Sequence, residues 1–368
     1  MEHAPEDAAF PDEIAADRPR KGRGAVSSRT GRFEAAARLA IDDDWPGDGE
    51  APPLRTTLSI DTARRIVTYN KSPDIPFDRS INPYRGCEHG CVYCFARPTH
   101  AYYGLSPGLD FESRLFYKPD AATLLRRELR EPGYRPAVIA MGTNTDPYQP
   151  VEREIGLTRD ILQVLREFNH PVSIVTKSAL VLRDIDILAD MARRGLASVC
   201  LSVTTLDRRL ARLMEPRAPT PARRLEAIEA LNEAGVPTGA LVAPIIPALN
   251  DMELDHIVDA LAAAKAVSAG YVLLRLPLEI KELFEEWLTQ HYPDRKKHVL
   301  SLIRQTRDGA AYRSEWGTRM TGTGAYAELI RQRFALALKR NGMARRSLAL
   351  DASAFCPPPA AGDQLSLF

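Results

Sequence analysis

The residues best equipped for chemistry crowd into one run, Arg85-Gly86-Cys87-Glu88-His89-Gly90-Cys91-Val92-Tyr93-Cys94-Phe95. Three of the chain's five cysteines fall there, in the spacing C-x3-C-x2-C. Gly86 and Gly90 are turn formers that let a short loop fold back and bring three thiolates toward one point. Thiolates so spaced suit a metal centre. A disulfide suits them less, because three clustered cysteines leave one over and a reducing compartment keeps thiols free. A zinc site would recruit His89 as its fourth ligand, although structural zinc sites usually draw their ligands from two separated pairs. A 4Fe–4S cluster held by three cysteines would leave one iron without a protein ligand, open to a small molecule.

The elements around this run alternate. Short, mostly apolar stretches at 79–85, 137–141, 172–176, 197–203, 238–243 and 271–276 read as strands, most of them bounded by Gly or Pro. The first is placed mainly by its position before the cysteines. Amphipathic runs predict helices at 120–130, 158–168, 180–194, 221–234 and 252–266, with Gly195 and Gly235 as stop signals. Such strand–helix units imply an α/β fold with a parallel sheet and right-handed crossovers, here an open, partial TIM-like β/α barrel of six units. Function then belongs in the loops after the strand C-termini, where the cysteine run sits. No G-x-G-x-x-G follows the first strand, which argues against a dinucleotide-binding fold. Helical patterns at 279–290, 295–307 and 326–341 form a C-terminal cap. The expected organisation is a largely disordered arm over 1–55, the partial barrel over 56–280, the helical region over 281–350 and a flexible tail over 351–368.

With 45% hydrophobic content in 368 residues, the chain can bury one large core or two modest ones. The charges nearly cancel, 49 Lys+Arg against 48 Asp+Glu, so bulk charge does not advertise nucleic-acid binding and any such contact must be local. No run approaches the ~18 apolar residues of a membrane span. The start, Met1 to Asp7, is acidic and carries no apolar leader. We expect a soluble, cytoplasmic protein with no membrane partner. Within the arm, an acidic start gives way to Arg18, Arg20, Lys21, Arg23, Arg29 and Arg32 interleaved with glycine. That run reads as a solvated arm or, alternatively, as a phosphate-binding segment.

The cysteine run, with aromatic Tyr93 before the third cysteine, resembles that of the radical S-adenosylmethionine (radical SAM) enzymes. Together with Asn144-Thr145-Asp146-Pro147-Tyr148-Gln149-Pro150, Thr176-Lys177-Ser178, Leu201-Ser202-Val203-Thr204-Thr205 and Pro244-Ile245-Ile246-Pro247, it resembles the spore-photoproduct-lyase-like branch. More narrowly it is similar to a bacterial group sharing Asn-Pro-Tyr-Arg-Gly-Cys-Glu-His-Gly-Cys followed by Tyr-Cys-Phe-Ala-Arg-Pro. The resemblance implies a 4Fe–4S cluster on Cys87, Cys91 and Cys94, S-adenosylmethionine as second cofactor, and an electron donor such as flavodoxin or ferredoxin. It implies reductive cleavage of the sulfonium to a 5′-deoxyadenosyl radical that abstracts hydrogen from a substrate. It puts Tyr93 on the adenine, and Lys177 and Ser202 where the branch contacts the methionine carboxylate and ribose. A lysine that merely faces solvent is the plainer reading of Lys177. Where the superfamily often holds the methionine amine with Gly-Gly-Glu, this chain has Asn144, Thr145 and Asp146. Asp146 or the threonine hydroxyls would receive the amine, or Asp146-Pro147 simply forms an Asx-type turn. The run 243–251 offers an apolar shelf for the adenine.

One departure bears on the reaction. Spore photoproduct lyase has a hydrogen-donating cysteine near the second-strand loop, and 141–152 contains none. Cys200, expected to face inward with Ser198 and Ser202, or Cys356 would have to substitute, so repair of thymine lesions is not carried over. The last five residues, Gln364-Leu365-Ser366-Leu367-Phe368, resemble the bacterial sliding-clamp-binding motif, with the Pro-rich stretch from Pro357 as tether. The leading expectation is a radical SAM enzyme acting on DNA or a DNA-associated substrate, in the manner of DNA repair. The rivals are a radical SAM enzyme modifying RNA, a peptide or a metabolite, and a non-catalytic iron–sulfur or zinc protein.

Overall fold

A computed structural model describes residues 20–34, 54–344 and 349–359. In chain order its strands are β1 (Thr57–Ile60), β2 (Val67–Tyr69), β3 (Arg79–Ile81), β4 (Tyr84–Arg85), β5 (Arg114–Tyr117), β6 (Ile139–Met141), β7 (Val172–Thr176), β8 (Ala197–Ser202), β9 (Thr238–Ile245) and β10 (Ala269–Leu273). The large sheet has the order β10-β9-β8-β7-β6-β3-β2. From β3 to β10 every pairing is parallel, and β2 adds antiparallel to the edge. The six expected strands are therefore all present, side by side in chain order. The expected first strand splits: β3 stays in the barrel, while β4 turns off into a small sheet of order β1-β5-β4.

Alternation decides what the two faces do. Val172 and Ile174 of β7 and Val199 and Leu201 of β8 are fully buried in the main core, with Ile161, Leu162 and Leu165 of the helix Leu157–Glu167. Facing the other way, Val175, Cys200, Leu241, Ala243 and Val272 keep intermediate exposure in the middle of a sheet. Small residues, Ser80, Ala140, Ser173, Ser198, Gly239 and Gly270, complete that concave face. A closed barrel packs its interior with bulky branched layers; this interior is left open.

Two structures close off the open sheet. The helices Ile280–His291 and Pro293–Gln305 put Phe284, Trp287, Leu288, Val299 and Ile303 into one cluster with Val92, Tyr93, Met214 and Ile246. The cap thus runs from the end of β10 onto the cysteine loop. The segment 306–323 then spans the gap between the sheet edges. Its Met320 carbonyl accepts Leu273 N–H of β10 at 2.9 Å. At the other edge Asp74, in the β2–β3 turn, accepts Gly317 N–H at 2.7 Å and pairs with Arg319, which also reaches Ser72. The helix Gly324–Arg340 lies outside, with Phe334 against Tyr271 at 4.9 Å. Among the described residues, no helix is long and apolar enough to cross a membrane.

Both ends of the chain depart from expectation where they are described. Residues 23–27 of the supposed arm are buried, not solvated. Arg29 pairs with Glu282 and Glu286, and Arg32 with Glu279, so their charges meet carboxylates of the cap instead of a phosphate. Residues 351–359 are not a free tether. Phe355 packs among Tyr134, Phe168 and His170, Cys356 N–H donates to Phe168 O at 3.0 Å, and Arg130 holds Pro358 O at 2.8 Å. These partners lie at the helix-to-strand turns, opposite the cysteine loop. The clamp-like pentapeptide 364–368 lies outside the described residues. Phe355→Ala should destabilise the protein by about 1–3 kcal/mol in urea unfolding, as a half-buried aromatic does; unchanged stability would mean that the tail is not docked.

Candidate functional site

The loop from Gly86 to Cys94 is held from several sides. Gly86 and Gly90 have φ of +76° and +68°, in the left-handed region that glycine tolerates. Arg97, fully buried, donates to Cys91 O at 2.8 Å and Gly90 O at 3.2 Å, and to Pro107 and Gly108 carbonyls. Its charge meets Glu112, also fully buried. The Glu112 carboxylate in turn accepts Gly24 N–H at 2.9 Å and Ala25 N–H at 2.8 Å. The strand of arm at 24–25 therefore lies directly on the cysteine loop. A Cβ on Gly24 would stand 1.8 Å from Gly90 O, so only glycine fits. On the opposite side Gln149 bridges the loop, accepting Glu88 N–H at 2.9 Å and donating to Gly86 O at 3.3 Å.

Cys87, Cys91 and Cys94 are free thiols on this loop. Cys87 packs with Ala96 and Phe111, Cys91 with Val92 and Tyr93, and Cys94 touches both groups. Burial pushes the Cys87 thiol up and the Cys91 thiol up to about 12, although Lys177 opposes the rise at Cys91. Thiolates here require a strong local positive charge, which a metal centre provides. His89 is buried, with Nδ1 3.3 Å from Asp146 Oδ2. Among the described residues no three His, Cys, Asp or Glu side chains close on one ion-sized point. The three thiols share an apolar lining.

The strand ends bring most of the other expected residues to the same side. Tyr93 donates its hydroxyl to Glu215, which is buried and also accepts Thr204 Oγ1 at 2.6 Å. Glu215 pairs with buried Arg224, whose Nη1 donates to Ser202 O at 2.9 Å. Burial works to raise the Glu215 pKa, but Arg224 and Lys177 overcome it and bring it down to about 2. Lys177, at the end of β7, sets its ammonium 5.7 Å from the Tyr93 ring centroid. Burial opposes its charge, yet Cys91 and Glu215 hold the pKa above the usual lysine value. Lys177 thus faces the cysteine loop instead of solvent. Ile246, from the expected apolar shelf, packs in the cluster that holds Cys91 and Tyr93.

Asp146 takes the plainer of its two roles. It accepts Tyr148 N–H at 2.9 Å in an Asx turn, Thr176 Oγ1 at 2.6 Å and Lys177 N–H at 2.8 Å, besides facing His89. Burial would raise its pKa, but these partners bring it down to about 2. Asp146 is therefore committed to the protein's own groups. Thr145 Oγ1 likewise donates to Tyr84 O at 3.2 Å, whereas the Asn144 side chain is exposed. Of the two remaining cysteines, Cys200 lies on the open concave face, paired with Val175 and Gly239 in register. Burial raises its pKa to about 12, so it carries its proton. Cys356 sits at the far end of the barrel and is separate from the site. Arg97, Glu112, Gln149, Glu215 and Arg224 were not anticipated from sequence; a buried charge carries no periodic signal.

Comparison with known proteins converges on one family. The model of the Radical SAM superfamily matches residues 81–261. An uncharacterised protein of Mycobacterium tuberculosis is 39% identical over 241 residues, covering 64% of this chain and 71% of its own. An uncharacterised protein of Methanocaldococcus jannaschii is 30% identical, covering 63% of this chain and 82% of its own. Among solved structures, spore photoproduct lyase complexed with a dinucleoside spore photoproduct shares the fold, with a TM-score of 0.55 at 17% identity over 77% of this chain and 79% of that one. This chain belongs to the radical SAM superfamily. The cofactors of a radical SAM protein are a 4Fe–4S cluster and S-adenosylmethionine, and the donor set fits them: three thiols and an apolar surround. Glu112→Gln would leave the Arg97 charge buried and unpaired. We expect a loss of about 3–5 kcal/mol in urea unfolding, against little change for Glu226→Gln in an exposed pair.

Proposed function

We propose that this protein is a radical SAM enzyme that cleaves S-adenosylmethionine reductively and acts on DNA or a DNA-associated substrate. The observation that carries the reading is the three-thiol loop at the C-terminal mouth of a sheet whose concave face is open and lined by small side chains. When bound, the cluster and S-adenosylmethionine supply a 5′-deoxyadenosyl radical. Cys87, Cys91 and Cys94 would ligate the cluster. Lys177, turned toward the loop, would meet the methionine carboxylate, and Tyr93 and Ile246 would border the adenine. Ser202 would serve the ribose. Because Asp146 is already engaged, the methionine amine is left to Asn144 or the Thr145 segment. Cys200, protonated and on the open face, is the candidate hydrogen donor to a substrate radical.

The case for DNA has two supports. One is the shared fold with a lyase that was solved with a dinucleoside photoproduct. The other is the pentapeptide Gln364–Phe368, whose apolar Leu367 and Phe368 would fill a pocket of the bacterial sliding clamp. A near-neutral protein would then owe its localisation on DNA to the clamp. The segment 351–359 docks at the end of the barrel opposite the cysteine loop.

After anaerobic reconstitution the protein should carry about four irons per chain and release 5′-deoxyadenosine under dithionite. Cys87→Ala, Cys91→Ala and Cys94→Ala should each lose the brown colour and the cleavage, while Cys200→Ala and Cys356→Ala keep the colour. One zinc and no cleavage would defeat the enzyme reading. For the clamp, the intact chain should bind purified bacterial clamp in a titration and a chain truncated after Asp363 should not. Equal binding by both, or by neither, would remove that partner.

A further inference from the structure

Most arginines described so far meet a carboxylate: Arg29, Arg32, Arg97, Arg224 and Arg319 do so. Arg275, just past β10 at the mouth of the barrel, does not. Its Nη2 reaches Tyr312 Oη at 3.3 Å and its Nη1 reaches Met320 Sδ at 3.6 Å. Its Nε is buried and has no partner. The guanidinium lies 5.2 Å from the Phe95 ring centroid and 6.0 Å from that of Tyr312. Phe95 follows the third cysteine directly and remains 47% exposed. Beneath Arg275 a second cation adds to the charge. Arg307, buried to 2% exposure, donates only to Leu274 and Thr318 carbonyls, and its Nε is also unpartnered. Asp74, a nearby acid, is already taken by Arg319 and Gly317.

Among the described residues neither guanidinium has a carboxylate in contact, and Arg275, set against the partly exposed faces of Phe95 and Tyr312 with the buried Arg307 charge behind it, forms a site for an anion that carries a flat ring. Further along the rim lies a second cation–aromatic stack, one whose charge Glu279 already meets. Arg32 lies 5.3 Å and 5.8 Å from the Phe33 and Tyr102 ring centroids, and those rings stack at 5.2 Å with exposures of 57% and 68%. Arg32 also links Glu279, four residues past Arg275, to Pro98, three past Phe95. Aromatic faces in succession are what a nucleic-acid strand uses: Phe33, Tyr102, Phe95 and Tyr312 offer stacking faces for bases of any sequence, and Arg275 is the guanidinium placed to take a phosphate between them.

We propose that Arg275, between Phe95 and Tyr312, is a phosphodiester subsite that seats a nucleic-acid strand at the open interior, beside the cysteine loop and Cys200. This rests on the reading that the substrate is DNA or DNA-associated. It also makes the residue after the third cysteine and the span 306–323 part of substrate recognition, since that span carries Tyr312 and Met320 to Arg275.

The test uses the reconstituted full chain with S-adenosylmethionine, titrated against a fluorescein-labelled single-stranded DNA oligonucleotide by anisotropy over a range of salt. Arg275→Gln should weaken binding about tenfold at low salt and reduce the slope of log K against log salt by about 0.7, one phosphate contact fewer. Tyr312→Leu should weaken binding without altering the slope, because it removes a stacking face and no charge. Arg340→Gln, in an exposed pair on the outer helix, should change neither. Circular dichroism confirms folding, and Tyr312→Leu carries the test alone if Arg275→Gln does not fold. DNA binding that both variants leave intact would overturn the subsite and spare the DNA reading. No DNA binding by the wild-type chain would overturn both. Loss of S-adenosylmethionine affinity in Arg275→Gln, with DNA binding intact, would assign Arg275 to the cofactor and overturn the subsite.

Discussion

The site depends on one buried guanidinium. A loop that turns three thiols inward must turn its own carbonyls somewhere, and a buried carbonyl without a donor is costly. Arg97 supplies donors to four of them, on both the cysteine loop and the segment 107–108. A charge at that depth is tolerable only with a partner, and Glu112 is that partner. Glu112 has acceptor capacity left over, which Gly24 and Ala25 fill. Loop, arm and the short helix Leu109–Ser113 are therefore one polar unit, in which each member satisfies the next.

The same logic recurs on the other sides of the loop. Glu215 with Arg224 fixes the Tyr93 hydroxyl and the end of β8. Asp146 joins the turn after β6 to the end of β7 and to His89. In each case a carboxylate that would repel electron-rich thiolates is neutralised by a cation or saturated by N–H and O–H donors. Polar groups so engaged cannot reorient at the moment of reaction, which is the condition for preorganised binding. Lys177 differs. Among the described residues no carboxylate touches its ammonium in a direct ion pair, and it is aimed at the loop, so it is a cation with freedom to meet a ligand there.

How much of this was legible in the sequence follows from the range of the signal. The parallel strands were visible because periodicity is local: β7 runs Val172–Thr176 as expected, and the inward alternation of Ser198, Cys200 and Ser202 follows from the pleat. The concentration of chemistry at Cys87–Cys94 was visible for the same reason. The described part of the arm, 20–34, hid its docking because Arg23, Arg29 and Arg32 look like a solvated charge run until Glu112, Glu279, Glu282 and Glu286 arrive from distant sequence. The described part of the tail, 351–359, hid its docking likewise, since Phe355 needs Tyr134, Phe168 and His170 to become core. Strands β1 and β5 are four residues each, and β1 buries none of its side chains, so neither carries a pattern to read.

The open interior completes the argument, because it sets what the preorganised loop can act upon. Cys200 lies between Val175 and Gly239 in register, and Gly270 pairs with Leu241 one strand over. Glycine in strand interiors weakens a sheet and is retained where something must approach the backbone closely. A cap of helices lies over the cysteine loop at one end, and the segment 306–323 crosses between the sheet edges on the Asp74–Arg319 pair. Bulky layers would have stabilised this barrel more cheaply than a seven-stranded sheet left half-exposed on one face. The chain instead sets serine, alanine, cysteine and glycine among Val175, Leu241 and Val272 on that face, and the cysteine loop stands at its mouth.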